Sequence, residues 1–310
     1  MSRARYPLPT DLVALIAHDG RVYPNEAKTW DRMGTANGGP HPLGTALEQW
    51  LSFATGKHTW VSVRGATIRG LVSARRRAKR TAWEVDCLIN ADEDRSVAHS
   101  LLERMAAGTA KEGAERIFLR LAAESPMVEI ARSVGFFAYT HETLYRSDEP
   151  APTPDPGLPF RSASKADAFG IYQLYSAVTP ANVRAIEGAT FREWQAAREP
   201  WGGNPSDLVL EEEGIITGWL RLLRGNESRF SMLIHPQRRD AEAFLETVLA
   251  RLKGSRPVLC LAPSRGDSLS RLLRRLAFSP VENYVMMAKR TARLAQELAA
   301  ETVRTAVTVS

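Results

Sequence analysis

The sequence predicts an α/β chain built from two tandem copies of one domain, each a mixed, mostly antiparallel sheet flanked by helices. Three observations carry that prediction. The stretch SDEPAPTPDPGLP, residues 147–159, is rich in proline and acid and lacks apolar periodicity, so it reads as an extended linker near mid-chain. The same series of elements runs on both sides of it, and Gly135-Phe136 and Ala277-Phe278 close the same late helix, a period of roughly 140 residues, far above that of solenoids. In each copy a strand, helix, strand passage follows a set of antiparallel strands, which requires a parallel pair joined by a crossover. The expected division is a first domain at 1–146, the linker at 147–159, a second domain at 160–290 and a helical tail at 291–310.

Taken in order, the first copy opens with a helical pattern in LGTALEQWLSFA (43–54). The runs HTWVSVRG and TIRGLVSARR follow as strands, then AWEVDCLI as a third. Next come the helix SVAHSLLERMAAGTAKEG, the buried strand RIFLRLA, the helix PMVEIARSVG and the strand AYTHETLYR. The second copy runs through the short strand FRSAS, the helices KADAFGIYQLYSAV and TPANVRAIEG, and a Trp-rich loop, FREWQAAREPWGGNP. Strands DLVLEEEG, IITGWLRLLRG and SRFSMLIHP precede the helix DAEAFLETVLARLKG, the strand PVLCLAP, the helix DSLSRLLRRLA and the strand NYVMMAKR. The tail TARLAQELAAETVRTA is helix-prone and suits packing on a domain or on a second copy of the chain, as in a homo-oligomer.

With 310 residues, 44% hydrophobic and 25% charged, the composition is that of a globular protein, and no apolar run approaches the roughly 18 to 20 residues of a membrane span. The first residues carry basic side chains without an apolar region after them, so the expected compartment is the cytoplasm and no membrane partner is implied. Cys87 and Cys260 sit inside apolar strands and read as small core hydrophobes. The six histidines show no paired ligand spacing, so no metal is expected. A net charge of +6 admits acidic partners, and its densest patch is RRRAKR at 75–80. That patch reads as an exposed hairpin tip. No aromatic residue interleaves with it, which argues against nucleic acid.

The order of elements, DLVLEEEGIITGWLRLL followed by IHP, and the late Leu-Ala-Phe at 276–278 resemble the GNAT superfamily of acyl-CoA N-acyltransferases. AWEVDCLI, ERIFLRLA and SVGFFAYTHETLYR carry the same resemblance in the first copy. It implies acetyl-CoA or another acyl-CoA as co-substrate and an amine, either a small molecule or a peptide, as acceptor. It also implies that backbone N–H groups at a helix start hold the pyrophosphate, as helix N-termini do generally. The first-copy candidates for that role are Ser96, Val97 and Ala98, preceded by Asp92, Glu93 and Asp94, which also suit a helix cap. The second-copy candidates are His235, Arg238 and Arg239, with Glu242 and Phe244 in the family's glycine places, setting charge and bulk against a phosphate.

A base in this family takes the acceptor's proton. Glu84 and Asp86 alternate along WEVDC, so they share a face and are the candidate general base. The family's Tyr acid falls on Ala131 and Leu273, neither of which donates a proton. The loop tryptophans Trp194 and Trp201, and Trp30, Trp50 and Trp60 in the first copy, suit either a pocket wall or a seal between the copies. Two functions follow from the resemblance: an N-acyltransferase with at least one degenerate copy, or a tandem scaffold that binds a ligand or protein without chemistry.

Overall fold

Eleven strands assemble into a single continuous sheet. The computed structural model describes residues 4–6, 22–33, 41–42, 57–64, 67–91, 93–150, 153–264 and 267–291. The first copy contributes β1 (Lys57–Arg64), β2 (Thr67–Arg76), β3 (Ala82–Asn90), α1 (Arg95–Lys111), β4 (Arg116–Ala122), α2 (Met127–Ser133) and β5 (Phe137–Ser147). The second begins with β6 (Arg161–Ser162) and three helices, α3 (Ala168–Val178), α4 (Ala181–Glu187) and α5 (Phe191–Ala197). It continues with β7 (Ser206–Glu212), β8 (Ile215–Leu223), β9 (Ser228–Ile234), α6 (Ala241–Arg251), β10 (Val258–Pro263), α7 (Asp267–Arg275) and β11 (Ser279–Arg290). The helix expected at 43–54, with Trp50, lies outside the described residues, as does the tail beyond Thr291. Among the described residues no helix is long and apolar enough to cross a membrane.

The mixed sheet with helices against it is the architecture that the alternating strands and the helical period predict. One element is new. The Trp-rich loop opens with α5 because Thr190 and Glu193 form a capping box, in which Glu193 N donates to Thr190 Oγ1 at 3.3 Å and Thr190 N to Glu193 Oε2 at 3.1 Å. The basic patch also differs from an exposed tip. Ala78, Lys79 and Arg80 are exposed at the turn, while Arg75 and Arg77 fold back into ion pairs with Glu84.

The strand order is β1-β2-β3-β4-β11-β5-β10-β9-β8-β7-β6. The strands that end the two copies have changed places. β11 of the second copy pairs antiparallel with β4 of the first, from Tyr284↔Ala122 to Arg290↔Arg116. β5 of the first copy pairs with β10 of the second, from Val258↔Ser147 to Pro263↔Glu142. β5 and β11 then pair with each other at the centre of the sheet. The cores follow the exchange. Val285 and Met287 of β11 pack with Leu101, Leu102, Leu119 and Ile130 of the first copy, and Tyr145 of β5 packs with Phe230, Phe244, Leu245 and Val258 of the second. Each core therefore buries apolar surface that the other copy supplies.

The repeat survives in backbone detail. Gly135 and Ala277 each follow a late helix with positive φ, 91° and 63°. Phe136 N donates to Ala131 O at 3.0 Å and Phe278 N to Leu273 O at 2.9 Å, the longer bond of a Schellman cap in both copies. Both phenylalanines are buried beneath the cap. Glycine adopts this conformation without strain and alanine does not. Ala277→Gly is expected to raise unfolding free energy by up to about 1 kcal/mol, after the entropy glycine gains in the unfolded chain, as read by denaturant unfolding. A loss of stability would contradict the cap assignment.

Candidate functional site

Each copy contains one parallel strand pair that separates after three residue pairs. β3 and β4 pair from Ala82↔Arg116 to Glu84↔Phe118, and β9 and β10 pair from Ser228↔Val258 to Phe230↔Cys260. Beyond those points the facing edges lose their ladder partners, and buried backbone groups must find others.

In the first copy the chain itself fills the gap. Glu26 N donates to Leu88 O at 2.8 Å and Lys28 N to Arg120 O at 2.9 Å, so residues 26–28 bridge the separating strands. Asn25 adds two bonds, accepting from Leu88 N at 2.8 Å and donating to Asp86 O at 3.2 Å. Ser125 Oγ donates to Glu26 Oε2 at 2.8 Å, which commits that serine to the same segment. The bridging segment is anchored in turn by ion pairs. Arg75 binds both oxygens of Asp31 at 2.7 Å and Glu84 at 2.6 Å, Arg77 binds Glu84 at 3.0 Å, and Arg32 reaches Asp86 at 3.3 Å.

Glu84 and Asp86 thus lie in this network. Glu84 accepts from Arg75 and Arg77 through its two oxygens, and burial raises its carboxyl despite those cations. Asp86 is fully buried and accepts from Ser73 Oγ at 2.6 Å. At the start of α1, Asp94 accepts from Ser96 N at 2.8 Å and Ser96 Oγ at 2.7 Å. Those two bonds hold Asp94 below the usual carboxylate range, and Arg69 adds a third partner at 3.0 Å. Val97 and Ala98 are buried against the sheet.

In the second copy the corresponding gap is a cavity of about 540 Å³, lined on one side by Met232, Leu233, Ile234 and His235 and on the other by Pro263, Leu269 and Leu272. It reaches Arg238 and Ala241, at the start of α6. Asp240 gives that helix no side-chain cap, because its carboxylate is turned to Arg238 at 2.9 and 2.5 Å. Arg238 is further held by Glu212 at 2.6 Å and Thr217 Oγ1 at 3.2 Å. Arg239 is exposed and makes no ion pair among the described residues. Phe244 does not crowd this mouth. Its ring is fully buried, edge-on to Phe160 at 5.1 Å, and occupies space that Gly218 of β8 leaves open, where a Cβ would meet the ring at 2.4 Å.

The inner end of the cavity opens into a chamber of about 280 Å³ beneath α3, α4 and α5, and the two share Glu142, Glu187, Met232, Leu233, Pro263 and Leu269. Glu187, the last residue of α4, accepts from Tyr175 OH at 2.9 Å and Tyr139 OH at 3.1 Å. Burial raises its carboxyl above the usual range, and the neighbouring Glu142 carboxylate adds to the rise. Glu142 comes from β5, the exchanged strand, and accepts from Arg120 Nε at 2.9 Å. Arg120 also binds both oxygens of Glu199 at 2.6 and 2.8 Å. Burial alone would raise Glu199, but that guanidinium holds it down at about 2.

The paired carboxylates of the chamber, Glu142 and Glu187, are residues that sequence reasoning missed. No spacing rule joins a strand of the first copy to a helix of the second. The aromatic residues divide between the two roles expected of them. Trp194 and Trp201 line the chamber, and Trp201 also packs edge-on against Trp30 at 5.4 Å, sealing the first-copy turn against the second copy. Leu273 and Ala131 are fully buried, and Ser264 is exposed beside Thr143 at 3.2 Å. Asn25→Ala would leave the Leu88 N–H without its side-chain partner, while the Asp86 C=O would keep only Arg32 Nη1 at 2.8 Å. It is expected to cost about 1–3 kcal/mol in denaturant unfolding, and an unchanged midpoint would contradict the bridge.

No protein-family profile matches the chain, and no curated protein is similar to it in sequence. Solved structures are similar in fold. A GCN5-related N-acetyltransferase from Sphaerobacter thermophilus matches over 93% of this chain and 95% of its own, at 17% identity and a TM-score of 0.57. A tandem GNAT protein from the clavulanic acid biosynthesis pathway matches over 91% and 93%, at 16% identity and a TM-score of 0.50. The chain has the GCN5-related N-acetyltransferase fold, in tandem over nearly its whole length.

Proposed function

We propose that the second copy is an acyl-CoA-dependent N-acyltransferase and that the first copy is its structural partner. The observation that carries this reading is the contrast between the two gaps. One is bridged by residues 25–28, and the other is a cavity leading to a pair of carboxylates. Acetyl-CoA, the donor that the fold suggests, would lay its extended arm along β9 in the cavity. The uncapped first turn of α6 and the exposed Arg239 would meet its pyrophosphate. The residues there fit such a group, although Asp240 and Glu242 reduce the local positive charge.

Glu187 is assigned the role of general base. It stands where the donor cavity meets the chamber, and its raised carboxyl brings it nearer to neutral pH, as a base acting there requires. It takes a proton from the acceptor's ammonium. The freed amine then attacks the thioester carbonyl, and the adduct gives up a second nitrogen proton to solvent as the C–S bond breaks and the amide is left. The departing thiolate takes its proton from solvent, since Leu273 stands where the family's Tyr would be. Glu84 and Asp86, committed to arginine and serine partners, are assigned to the bridge rather than to the chemistry. The absent Tyr and the carboxylates on α6 favour the second reading, a scaffold that binds without turnover.

Turnover, its pH dependence and donor binding separate these readings. Glu187→Gln is expected to lower kcat for thiol release by about 10²- to 10⁴-fold with acyl-donor affinity intact, and undiminished turnover would remove Glu187 from the role. In the wild type, kcat/KM is expected to fall with decreasing pH through a value above the ordinary carboxylate range of about 4, because a raised carboxyl is lost as a base before an unperturbed one. Arg239→Glu is expected to weaken acetyl-CoA binding by about tenfold or more, while Ser96→Asp leaves it unchanged. The opposite pattern would move the site to the first copy. Binding without thiol release across a panel of amines would favour the scaffold.

A further inference from the structure

The chamber's charges are nearly all matched within the protein, and the exceptions lie at its two ends. Arg120 is met by Glu142 and Glu199, and Arg77 by Glu84. Arg221 binds both oxygens of Asp207 at 2.8 and 2.6 Å. Among the described residues the Glu187 carboxylate accepts only from tyrosine hydroxyls. Arg198 comes no nearer than 3.9 Å to Asp207, which Arg221 already occupies, and its guanidinium rests over the Trp194 ring at 5.4 Å. Glu187 borders the donor cavity. Arg198 borders an outer mouth of about 460 Å³ that also includes the exposed Lys79. Trp194, Trp201 and Trp219 line the same chamber as both.

We infer that the chamber selects a small amine that also carries a carboxylate, a free amino acid or a molecule of that kind. The ammonium lies against Glu187, the carboxylate on Arg198, and an apolar or aromatic body lies against the three tryptophans. A carboxylate met only by hydroxyls and a guanidinium with only a distant, shared carboxylate, each partly desolvated, are complementary to a zwitterion and lose that complement when either charge is removed from the ligand. Lys79 at the mouth adds attraction for the anionic end during entry. The inference rests on the acyltransferase reading only in naming this molecule the acceptor.

The test is direct titration of the full chain, with CoA present, using phenylalanine, tryptophan and leucine, their amides, and the amines that lack the carboxylate. At least one acid is expected to bind about tenfold or more tightly than its amide and its amine. Arg198→Gln is expected to erase that difference, and Arg198→Lys to keep part of it. Equal affinity for acid and amide, a preference that persists in Arg198→Gln, or no binding by any member overturns the inference. Thiol release from acetyl-CoA is followed in parallel. Selective binding without thiol release sinks the acyltransferase reading and leaves the zwitterion site standing, whereas thiol release without selectivity does the reverse.

Discussion

A parallel strand pair that separates must satisfy two rows of backbone donors and acceptors, and this molecule solves that problem twice in different ways. In the first copy, residues 25–28 lie between β3 and β4 and complete their hydrogen bonds. In the second, the space between β9 and β10 is kept open. The closed gap is a substantial commitment. The bridging segment is fixed by Asp31, Glu84 and Asp86 against Arg75, Arg77 and Arg32. Beyond the bridge the chain reaches the second copy, where Trp30 N donates to Glu199 at 2.9 Å and Arg229 of β9 donates to the carbonyls of Trp30 and Met33. The segment that closes one copy therefore also braces the other.

The exchanged strands make the site a joint product. β5 belongs to the first copy in sequence, yet it brings Tyr139 and Glu142 to the second copy's chamber. Arg120, from the first copy's buried strand, steadies both Glu142 and Glu199. Loss of the first copy would remove part of the chamber wall and part of the second core at once, because Tyr145 packs among Phe230, Phe244 and Val258. A copy whose own gap is bridged thus still contributes walls and charges to the chamber.

Much of the fold was legible in the sequence because it rests on local signals. Alternation marked the strands, the 3.6-residue period marked the helices, and the matching cap at Gly135 and Ala277 marked the repeat. The strand exchange was not legible, since β5 and β11 have the same pattern whichever neighbour they take. The site was legible only in part. Ser96 and Glu84 were read from positions along one strand and one helix, and each is engaged by a close neighbour, Asp94 or Arg75. Phe244 looked like an obstruction because the glycine that accommodates it is on β8, a different element. Glu187 escaped notice because its raised carboxyl depends on burial and on Glu142, 45 positions away in a different copy. The capping box before α5 was a signal present in the sequence, and it would have found that helix.

In the proposed reading the two copies divide the work of one site by the state of their gaps. The most direct test of that division is the stoichiometry of acetyl-CoA binding to the whole chain, measured by isothermal titration at moderate salt so that net charge alone gives no signal. The account predicts about one site per chain. Two sites would show that residues 25–28 do not close the first copy, and no binding at high concentration would show that the second copy's cavity is not a donor site.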